Sequence, residues 1–190
     1  MNHELDDKTI KTHSNDAGQY TGEYKNGQRH GNGILCWSDG TYYDGQFING
    51  FRHGKGKMII PCQNSTTHHH DKNNCIIYQY DGNFHQGKRH GYGEQQQIIT
   101  SSNNNNNEEK KNVVLNTYMG QWKNDQINGK GYMKMKDGKE YAGEFQNGNR
   151  QGYGFLMYTN GTNIILCIRV CVCVSKIYSM IVSTVVFDTR

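Results

Sequence analysis

Aromatic and polar positions alternate along most of this chain, and the alternation returns at a fixed spacing. Tyr20 and Tyr43 are 23 residues apart, as are Tyr118 and Tyr141. In each copy two aromatic residues flank a glycine at alternate positions, so all three share one face of a strand. The bare glycine backbone lets a ring from the adjacent strand lie over it. This pattern predicts a ladder of rings formed by Tyr20, Tyr24, Tyr43, Phe47, Tyr80, Phe84, Tyr118, Trp122, Tyr141 and Phe145.

An asparagine and a glycine, or a similar pair, follow the aromatic positions and predict a tight hairpin turn. In the first copy these residues are Asn26 and Gly27. The glycine supplies the positive φ that a two-residue hairpin loop requires. Two more glycines follow at fixed offsets, Gly31 and Gly33 in the first copy, and predict a second bend with close backbone approach. Each copy is therefore expected to form one β-hairpin.

Five such copies span residues 20–163, and polar inserts interrupt them near residues 61–75 and 98–112. The composition of the inserts predicts disordered loops. In the third copy Gln95 and Gln97 replace apolar residues, which predicts a frayed or shifted second strand. A repeat of this length indicates a stacked array whose units contact mainly their neighbours. The expected fold is all-β, a single-layer curved antiparallel meander of about five hairpin repeats with disordered polar inserts and tails.

The pattern Tyr-x-Gly-Glu/Gln-aromatic-x-Asn-Gly-x-Arg-His-Gly-x-Gly resembles the MORN (membrane occupation and recognition nexus) repeat. The match covers about three quarters of the chain. The resemblance implies an elongated, curved or twisted sheet of β-hairpins, in agreement with the pattern above. For function it implies a scaffold that binds protein partners in cytoskeletal, ciliary or membrane-apposed assemblies. Such repeats also occur as accessory segments of phosphatidylinositol phosphate kinases and a SET-domain lysine methyltransferase, so an accessory role beside a catalytic domain absent from this chain is the alternative.

An arginine and a histidine follow the hairpin turn in three copies and form the sharpest candidate for a binding site. With the lone arginine of the fifth copy, the set is Arg29, His30, Arg52, His53, Arg89, His90 and Arg150. Stacking of the repeats predicts a row of cations along one edge. A Lys or Arg near an anionic leaflet contributes about 1 kcal/mol, so the row is expected to bind acidic phospholipids or an acidic partner weakly. The alternative is structural: these side chains pack against the neighbouring loop and cap its backbone groups.

Signals of catalysis and of cofactor binding are weak in this sequence. Neither GxxxxGK[ST] nor GxGxxG is present, and a thin repetitive sheet offers few pockets for catalytic groups. The first insert region contains metal-ligand residue types without the spacing that organises a zinc site. They are Cys62, His68, His69, His70, Asp71 and Cys75. We therefore expect no enzyme activity, no cofactor, no metal site and no small-molecule substrate.

Composition narrows the function further. The chain has 190 residues, a net charge of +4 and only 34% hydrophobic residues, too few for a thick two-layer core. Its Lys and Arg residues are spread along the chain, so nucleic-acid binding is not indicated. Residues 1–19 form a polar tail without an apolar run, which predicts no secretory signal. A cytoplasmic location is expected, and the resemblance adds the periphery of a membrane, the cytoskeleton or a cilium.

Residues 164–190 break the repeat pattern and form an apolar tail. Ile164 replaces the tyrosine of the repeat and Leu166 replaces its glycine. The apolar run over residues 164–187 is long enough to span a bilayer, but Arg169 and Lys176 inside it cost roughly 2.5 to 3.5 kcal/mol each near the bilayer centre. Its β-branched alternation also fits a strand. Three interpretations stay open: a tail outside the functional design from a truncated or mis-spliced reading frame, an extra strand paired with the last repeat, and a membrane anchor.

Overall fold

The computed structural model describes residues 9–15, 18–61, 74–101, 111–159, 163–168 and 182–186. Regular structure in these residues is β-strand, and they include no helix long and apolar enough to cross a membrane. Thirteen strands form one sheet in which each strand pairs with the next along the chain, which confirms the all-β meander. The strands are β1 (Thr9–Asn15), β2 (Gly18–Lys25), β3 (Gln28–Trp37), β4 (Tyr42–Ile48), β5 (Phe51–Ile60), β6 (Asn74–His85), β7 (Lys88–Ser101), β8 (Lys111–Lys123), β9 (Gln126–Lys134), β10 (Glu140–Gln146), β11 (Asn149–Met157), β12 (Asn163–Ile168) and β13 (Val182–Val186).

Two-residue turns join the strands of each predicted hairpin. In the first copy Asn26 and Gly27 have φ angles of 51° and 73°. Two successive positive φ angles match the hairpin turn whose twist suits the flanking strands. The fourth copy has Asp125 in place of the glycine, with φ of 68°. Aspartate adopts this left-handed backbone more readily than most residues, so the turn is kept.

A β-bulge follows each turn. One fixed glycine of each copy lies in the bulge, and two others lie under a tyrosine ring. The β2–β3 register shifts just after the pair formed by Gly22 and Gly33. Gly31 lies in the shifted segment with φ of 63°. A Cβ atom on Gly33 would lie 2.3 Å from the hydroxyl oxygen of Tyr20. The tyrosine ring therefore covers the glycine pair, and the same arrangement recurs in the other four copies.

The core is the ladder of rings, all on one side of the sheet, here called the aromatic face. Nine of the ten predicted ladder residues are at most 4% exposed, and Tyr24 at the end is half-buried. The Phe47 ring lies 5.1 Å from the Tyr20 ring and 5.2 Å from the Tyr43 ring, in edge-to-face contact with both. Such contacts contribute about 0.5 to 1.5 kcal/mol each beyond burial. The chain of ring contacts runs unbroken from Tyr24 to Tyr141 and ties each repeat to the next.

Strands β6, β7 and β8 extend into both segments that the sequence indicated as disordered inserts. The strand residues within the predicted inserts are 74–75, 98–101 and 111–112. Ile99 pairs with Ile76 of β6 and with Val113 of β8. β-Branched residues favour such ladders, which explains why the strands continue past the repeat pattern. Apart from Pro61, the remainder of the two inserts lies outside the described residues.

The second strand of the third copy is shifted in register and not frayed, which is one of the two outcomes that the sequence predicted. Strand β7 is paired along its length with β6 and β8, with a register shift between Gln97 and Ile98 against β8. The Gln95 side chain accepts a hydrogen bond from the Arg89 guanidinium, and Gln97 accepts one from the Asn116 amide. These hydrogen bonds replace the apolar contacts that the other copies make at the same positions.

Strands also continue beyond both ends of the predicted repeats. The polar tail expected at residues 1–19 contributes strand β1, which pairs with β2. Strand β12 pairs with β11, and β13 pairs with β12, as in the extra-strand interpretation of residues 164–190. An open strand edge offers backbone donors and acceptors to any extended segment, whatever its side chains, so a polar segment can join the sheet. Arg169 and Lys176 lie outside the described residues.

We predict that Phe47→Ala lowers the free energy of unfolding by about 3 to 5 kcal/mol, because it removes a fully buried ring. Phe47 is 1% exposed, whereas Phe51, four residues later, is 58% exposed. Phe51→Ala is the matched control and should cost less than about 1 kcal/mol. Urea unfolding of the full chain, followed by circular dichroism, measures both. Equal destabilisation by the two variants would contradict the ladder as the core.

Candidate functional site

The arginines that follow the hairpin turns lie on the aromatic face. Each sits opposite the second ring of its own copy, as Arg52 does opposite Phe47, and opposed residues of an antiparallel pair share a face. The guanidinium carbons lie 4.3 to 5.8 Å from ring centroids of the aromatic face. The pairs are Arg29 with Tyr20 and Phe47, Arg52 with Trp37, Tyr43 and Phe84, Arg89 with Tyr80 and Trp122, and Arg150 with Tyr141. Each contact of this kind contributes about 0.5 to 2 kcal/mol, depending on its exposure to water.

Two of these arginines also bind the turn of the following hairpin. Nη2 of Arg52 donates to the carbonyl oxygen of Gly87 at 2.6 Å. Arg89 donates from Nε to the Asp125 carboxylate at 3.1 Å and from Nη2 to the Asp125 carbonyl oxygen at 2.9 Å. Gly87 and Asp125 hold the same place in successive turns. At these two positions the geometry matches the structural alternative, in which the arginine caps the neighbouring loop.

The histidines do not join the arginines in one row. The His53 ring lies 4.9 Å from the His85 ring, and the His90 ring lies 5.6 Å from it. His85 follows Phe84 in strand β6 and therefore points away from the aromatic face. The expected row of arginines and histidines is thus divided between two faces, because neighbouring residues of a strand point in opposite directions.

The fourth copy has Ile127 where the other copies have arginine. Ile127 pairs with Trp122 and packs against the buried rings. Its carbonyl oxygen still accepts a hydrogen bond from the Gly148 amide at 2.9 Å. The first copy has the equivalent bond, from Gly50 to Arg29, at 2.9 Å. The backbone hydrogen bond between hairpins therefore forms without an arginine side chain. In the other copies the arginine side chain is not needed for this bond and can make other contacts.

Partly exposed apolar side chains border the ladder on the aromatic face and were not among the predicted site residues. They are Trp37, Ile60, Tyr78, Met135 and Tyr158. Tyr78 lies two positions before Tyr80, and the other four lie two positions after Leu35, Met58, Met133 and Leu156 of the second strands. Their alternation with the core residues was the signal that would have placed them on this face.

Two hollows open on the aromatic face beside these side chains. One, of about 390 Å³, lies beside Arg29 and Trp37 in the first two copies. The other, of about 180 Å³, lies between the second and third copies. It is lined by Arg52, Met58, Ile60, Tyr78, Gln79, Tyr80, Arg89, Gln95 and Asp125. Both combine apolar walls with an arginine, an arrangement that suits recognition of a group with an apolar body and an anionic end.

The described residues contain no group of three or more His, Cys, Asp or Glu side chains arranged to hold a metal ion. The histidine run of the first insert, residues 68–70, lies outside them. The expectation of no metal site therefore stays a prediction.

Burial of the ladder perturbs its tyrosines. Desolvation raises the pKa of Tyr20, Tyr43 and Tyr118 to about 12 in each case. The nearby charge of Arg52 acts in the opposite direction on Tyr43 and offsets part of this effect. The hydroxyl of Tyr43 donates to the carbonyl oxygen of Gln46 at 2.9 Å, a bond that requires the protonated form. Burial also lowers the pKa of the Arg52 guanidinium.

We predict that the protein loses stability as the pH rises from about 10 to about 12. The ladder tyrosines have raised pKa values in the folded state, about 12 for Tyr43 against the ordinary 10.0. The folded state thus favours the neutral phenol, so this stability is fully present below pH 10 and is lost as the pH approaches 12. Urea unfolding at several alkaline pH values measures the loss. Tyr43→Phe removes one titrating group and should give a shallower slope; an unchanged slope would argue against the buried phenol.

Comparison with known proteins agrees with this repeat structure. The family model described as MORN repeat matches five segments, which together cover more than half of the chain: residues 20–42, 43–61, 80–96, 118–140 and 141–163. Alsin of Rattus norvegicus and Alsin of Homo sapiens are each 47% identical to the chain over 38 residues, 20% of this chain and 2% of Alsin. That similarity is local and spans a small fraction of Alsin. Because each matched segment begins at a ladder tyrosine and ends within the same repeat unit, the chain belongs to the MORN repeat family.

Proposed function

We propose that this protein is a non-enzymatic scaffold that binds partner proteins through its aromatic face. MORN repeats indicate an interaction module built from repeats. The observation that carries the choice of face is the row of partly exposed apolar side chains beside arginines whose positions are fixed by the ladder. We further propose that it acts in the cytoplasm, at the periphery of a membrane, the cytoskeleton or a cilium.

The side chains of the aromatic face are of the types that are enriched at protein interfaces. Aromatic residues, methionine and arginine are over-represented there, and Trp, Tyr and Arg supply most hot spots. The Trp37 ring centroid lies 5.5 Å from the guanidinium carbon of Arg52. Tyr78 is 38% exposed beside the smaller hollow. The buried ladder holds these groups in place, which reduces the ordering entropy that binding would otherwise cost.

The opposite face is less suited to a large partner. Some of its charges pair with one another, as Lys57 does with Asp81 at 3.2 Å and Lys134 with Glu140 at 3.2 Å. Exposed pairs of this kind contribute little stability and stay solvated. Apolar side chains are exposed on this face as well, among them Tyr92, Tyr153 and Phe155. The arginines that lie over rings are on the aromatic face, and this combination favours that face.

We predict that a triple variant of the aromatic face, with Trp37→Ser, Ile60→Ser and Tyr78→Ser, loses the partner proteins of the parent chain. The variant removes exposed apolar contact area but replaces none of the buried ladder rings. Proximity labelling in the native cell, with the parent and the variant at matched abundance, measures this. The control is the double variant Tyr92→Ser and Tyr153→Ser on the opposite face, at residues 62% and 65% exposed. Loss of partners in the control alone would assign binding to the opposite face and reject this proposal.

Acidic phospholipids are a second candidate ligand. The support is a net charge of +4 and an arginine over a ring of the aromatic face in four of the five copies. The ion pair between Arg89 and Asp125 reduces the charge available at that position. Lipid binding of this kind is therefore expected to be weaker than four free arginines would give.

We predict that changing the four arginines together to glutamine weakens sedimentation with phosphatidylserine vesicles, because each contributes about 1 kcal/mol near an anionic leaflet. The variant carries Arg29→Gln, Arg52→Gln, Arg89→Gln and Arg150→Gln. A variant with four exposed lysines of the opposite face changed to glutamine, Lys55, Lys57, Lys88 and Lys130, has the same net charge and is the control. Added salt should weaken binding by the parent. If the parent does not sediment with these vesicles at low salt, or if both variants behave alike, the arginines are not a lipid site.

The alternative class is an accessory MORN segment of a phosphatidylinositol phosphate kinase or a SET-domain methyltransferase. The match to Alsin shows that such repeats occur within a much longer protein. Sequencing of the full transcript distinguishes the two classes, since a kinase or SET domain in the same reading frame would favour the accessory role.

A further inference from the structure

The guanidinium of Arg52 makes fewer strong hydrogen bonds than the equivalent arginine of the next repeat. Its Nη2 donates to the Gly87 carbonyl oxygen, and its Nη1 lies 2.8 Å from the thioether sulfur of Met58, which is a weak acceptor. Arg89 instead bonds to a carboxylate, a carbonyl oxygen and a side-chain amide. The difference follows from the turn residue, because Gly87 has no side chain where Asp125 has a carboxylate.

The incompletely satisfied guanidinium borders the smaller hollow of the aromatic face. The volume of about 180 Å³ is several times the roughly 30 Å³ that one water molecule occupies in the liquid. Its charged lining groups are Arg52, Arg89 and Asp125, which sum to one positive charge. Asp125 is already paired with Arg89. One further negative charge would therefore balance the hollow and give Arg52 a stronger acceptor than the Met58 sulfur.

The surroundings of the Arg52 guanidinium in this hollow are largely apolar. Met58, Ile60 and Tyr78 line the hollow. Beyond Tyr78, strand β6 places Ile76 on the same face, and Ile76 is 41% exposed. Its partner across the sheet is Ile99, which pairs in turn with Val113. The apolar surface thus continues from the hollow along the extended parts of β6, β7 and β8.

We propose that this hollow binds an aspartate or glutamate side chain of a partner protein, with Arg52 as the ion-pair donor and apolar neighbours of that acid packed on β6 to β8. This inference rests on the proposed binding role of the aromatic face. A carboxylate carries the single negative charge that the lining balances. A phosphate dianion would bring a second negative charge beside the Asp125 carboxylate, so it fits less well.

The test follows the side-chain Nε–H resonance of Arg52 by ¹H–¹⁵N NMR of the full chain. The probes are the peptide acetyl-Ile-Glu-Ile-amide, its glutamine analogue and inorganic phosphate. The glutamate peptide should give a saturable shift that weakens with added salt. The glutamine peptide should bind about tenfold more weakly, because it loses the charge-assisted hydrogen bond.

Gly87→Asp is the decisive variant, since it supplies an internal carboxylate at the position that Asp125 holds in the next turn. The two backbones are alike, with φ of 81° at Gly87 and 68° at Asp125, and a Cβ atom at Gly87 would meet only a ring carbon of Phe51 at 3.8 Å. The variant should fold and lose the peptide response while Arg52 is still present. The matched control, Asp125→Gly, should keep the response at Arg52 and gain one at Arg89.

Unchanged peptide binding by Gly87→Asp, or binding of the glutamine peptide or of phosphate as tight as that of the glutamate peptide, would overturn this inference. So would the absence of any shift at Arg52. The proposed function would survive these results if the triple variant of the aromatic face still loses its partners. If that variant keeps its partners, the proposed function fails even where the peptide binds.

Discussion

The tyrosine that begins each repeat lays its ring across two opposed glycines, and the remaining features of the sheet depend on this contact. The ring of Tyr43 covers the pair formed by Gly45 and Gly56, where any Cβ atom would overlap the ring. Its hydroxyl donates to the carbonyl oxygen of Gln46, the residue that the register shift leaves without a partner in the β4–β5 ladder. The bulge, the glycines and the ring therefore require one another. A single-layer sheet has no second layer to cover its backbone, and the ring does this instead.

The ladder could be predicted from sequence because its constraint is local. Alternation places Tyr43, Gly45 and Phe47 on one face. Because every copy has the same pattern, the rings of successive copies are expected to lie next to each other. The extent of the strands could not be predicted in the same way. Strand β1 is polar and joins the sheet through its backbone, and the pairing of Ile99 with Ile76 and Val113 joins segments separated by the polar inserts. The composition of each insert indicates disorder, because its few β-branched residues are outnumbered by the polar residues around them.

The arginines show where sequence reasoning about the candidate site stops. Their recurrence at one offset correctly placed them in register, but adjacency in sequence grouped them with histidines that point to the opposite face. Their acceptors were also hidden, since Arg89 and Asp125 are 36 residues apart and meet only through the stacking of hairpins. The sequence shows glycine or aspartate at the turn. Its consequence for the arginine one repeat earlier depends on the register of the folded sheet.

The residues that fix the fold and the residue that sets the partner of each arginine are different positions of the repeat. This division bears on how such an array could distinguish one binding partner from another. The rings, glycines and bulges fix the fold, whereas the second turn residue keeps the same left-handed backbone as glycine or as aspartate, as Gly87 and Asp125 show. That residue decides whether the arginine one repeat earlier has a carboxylate partner within the protein, as Arg89 has and Arg52 has not. Because each unit contacts mainly its neighbours, a change of that residue stays local. A repetitive sheet can therefore present a different charge at each repeat while its core stays the same. We propose that a partner recognises the repeats whose arginine has no carboxylate partner within the protein.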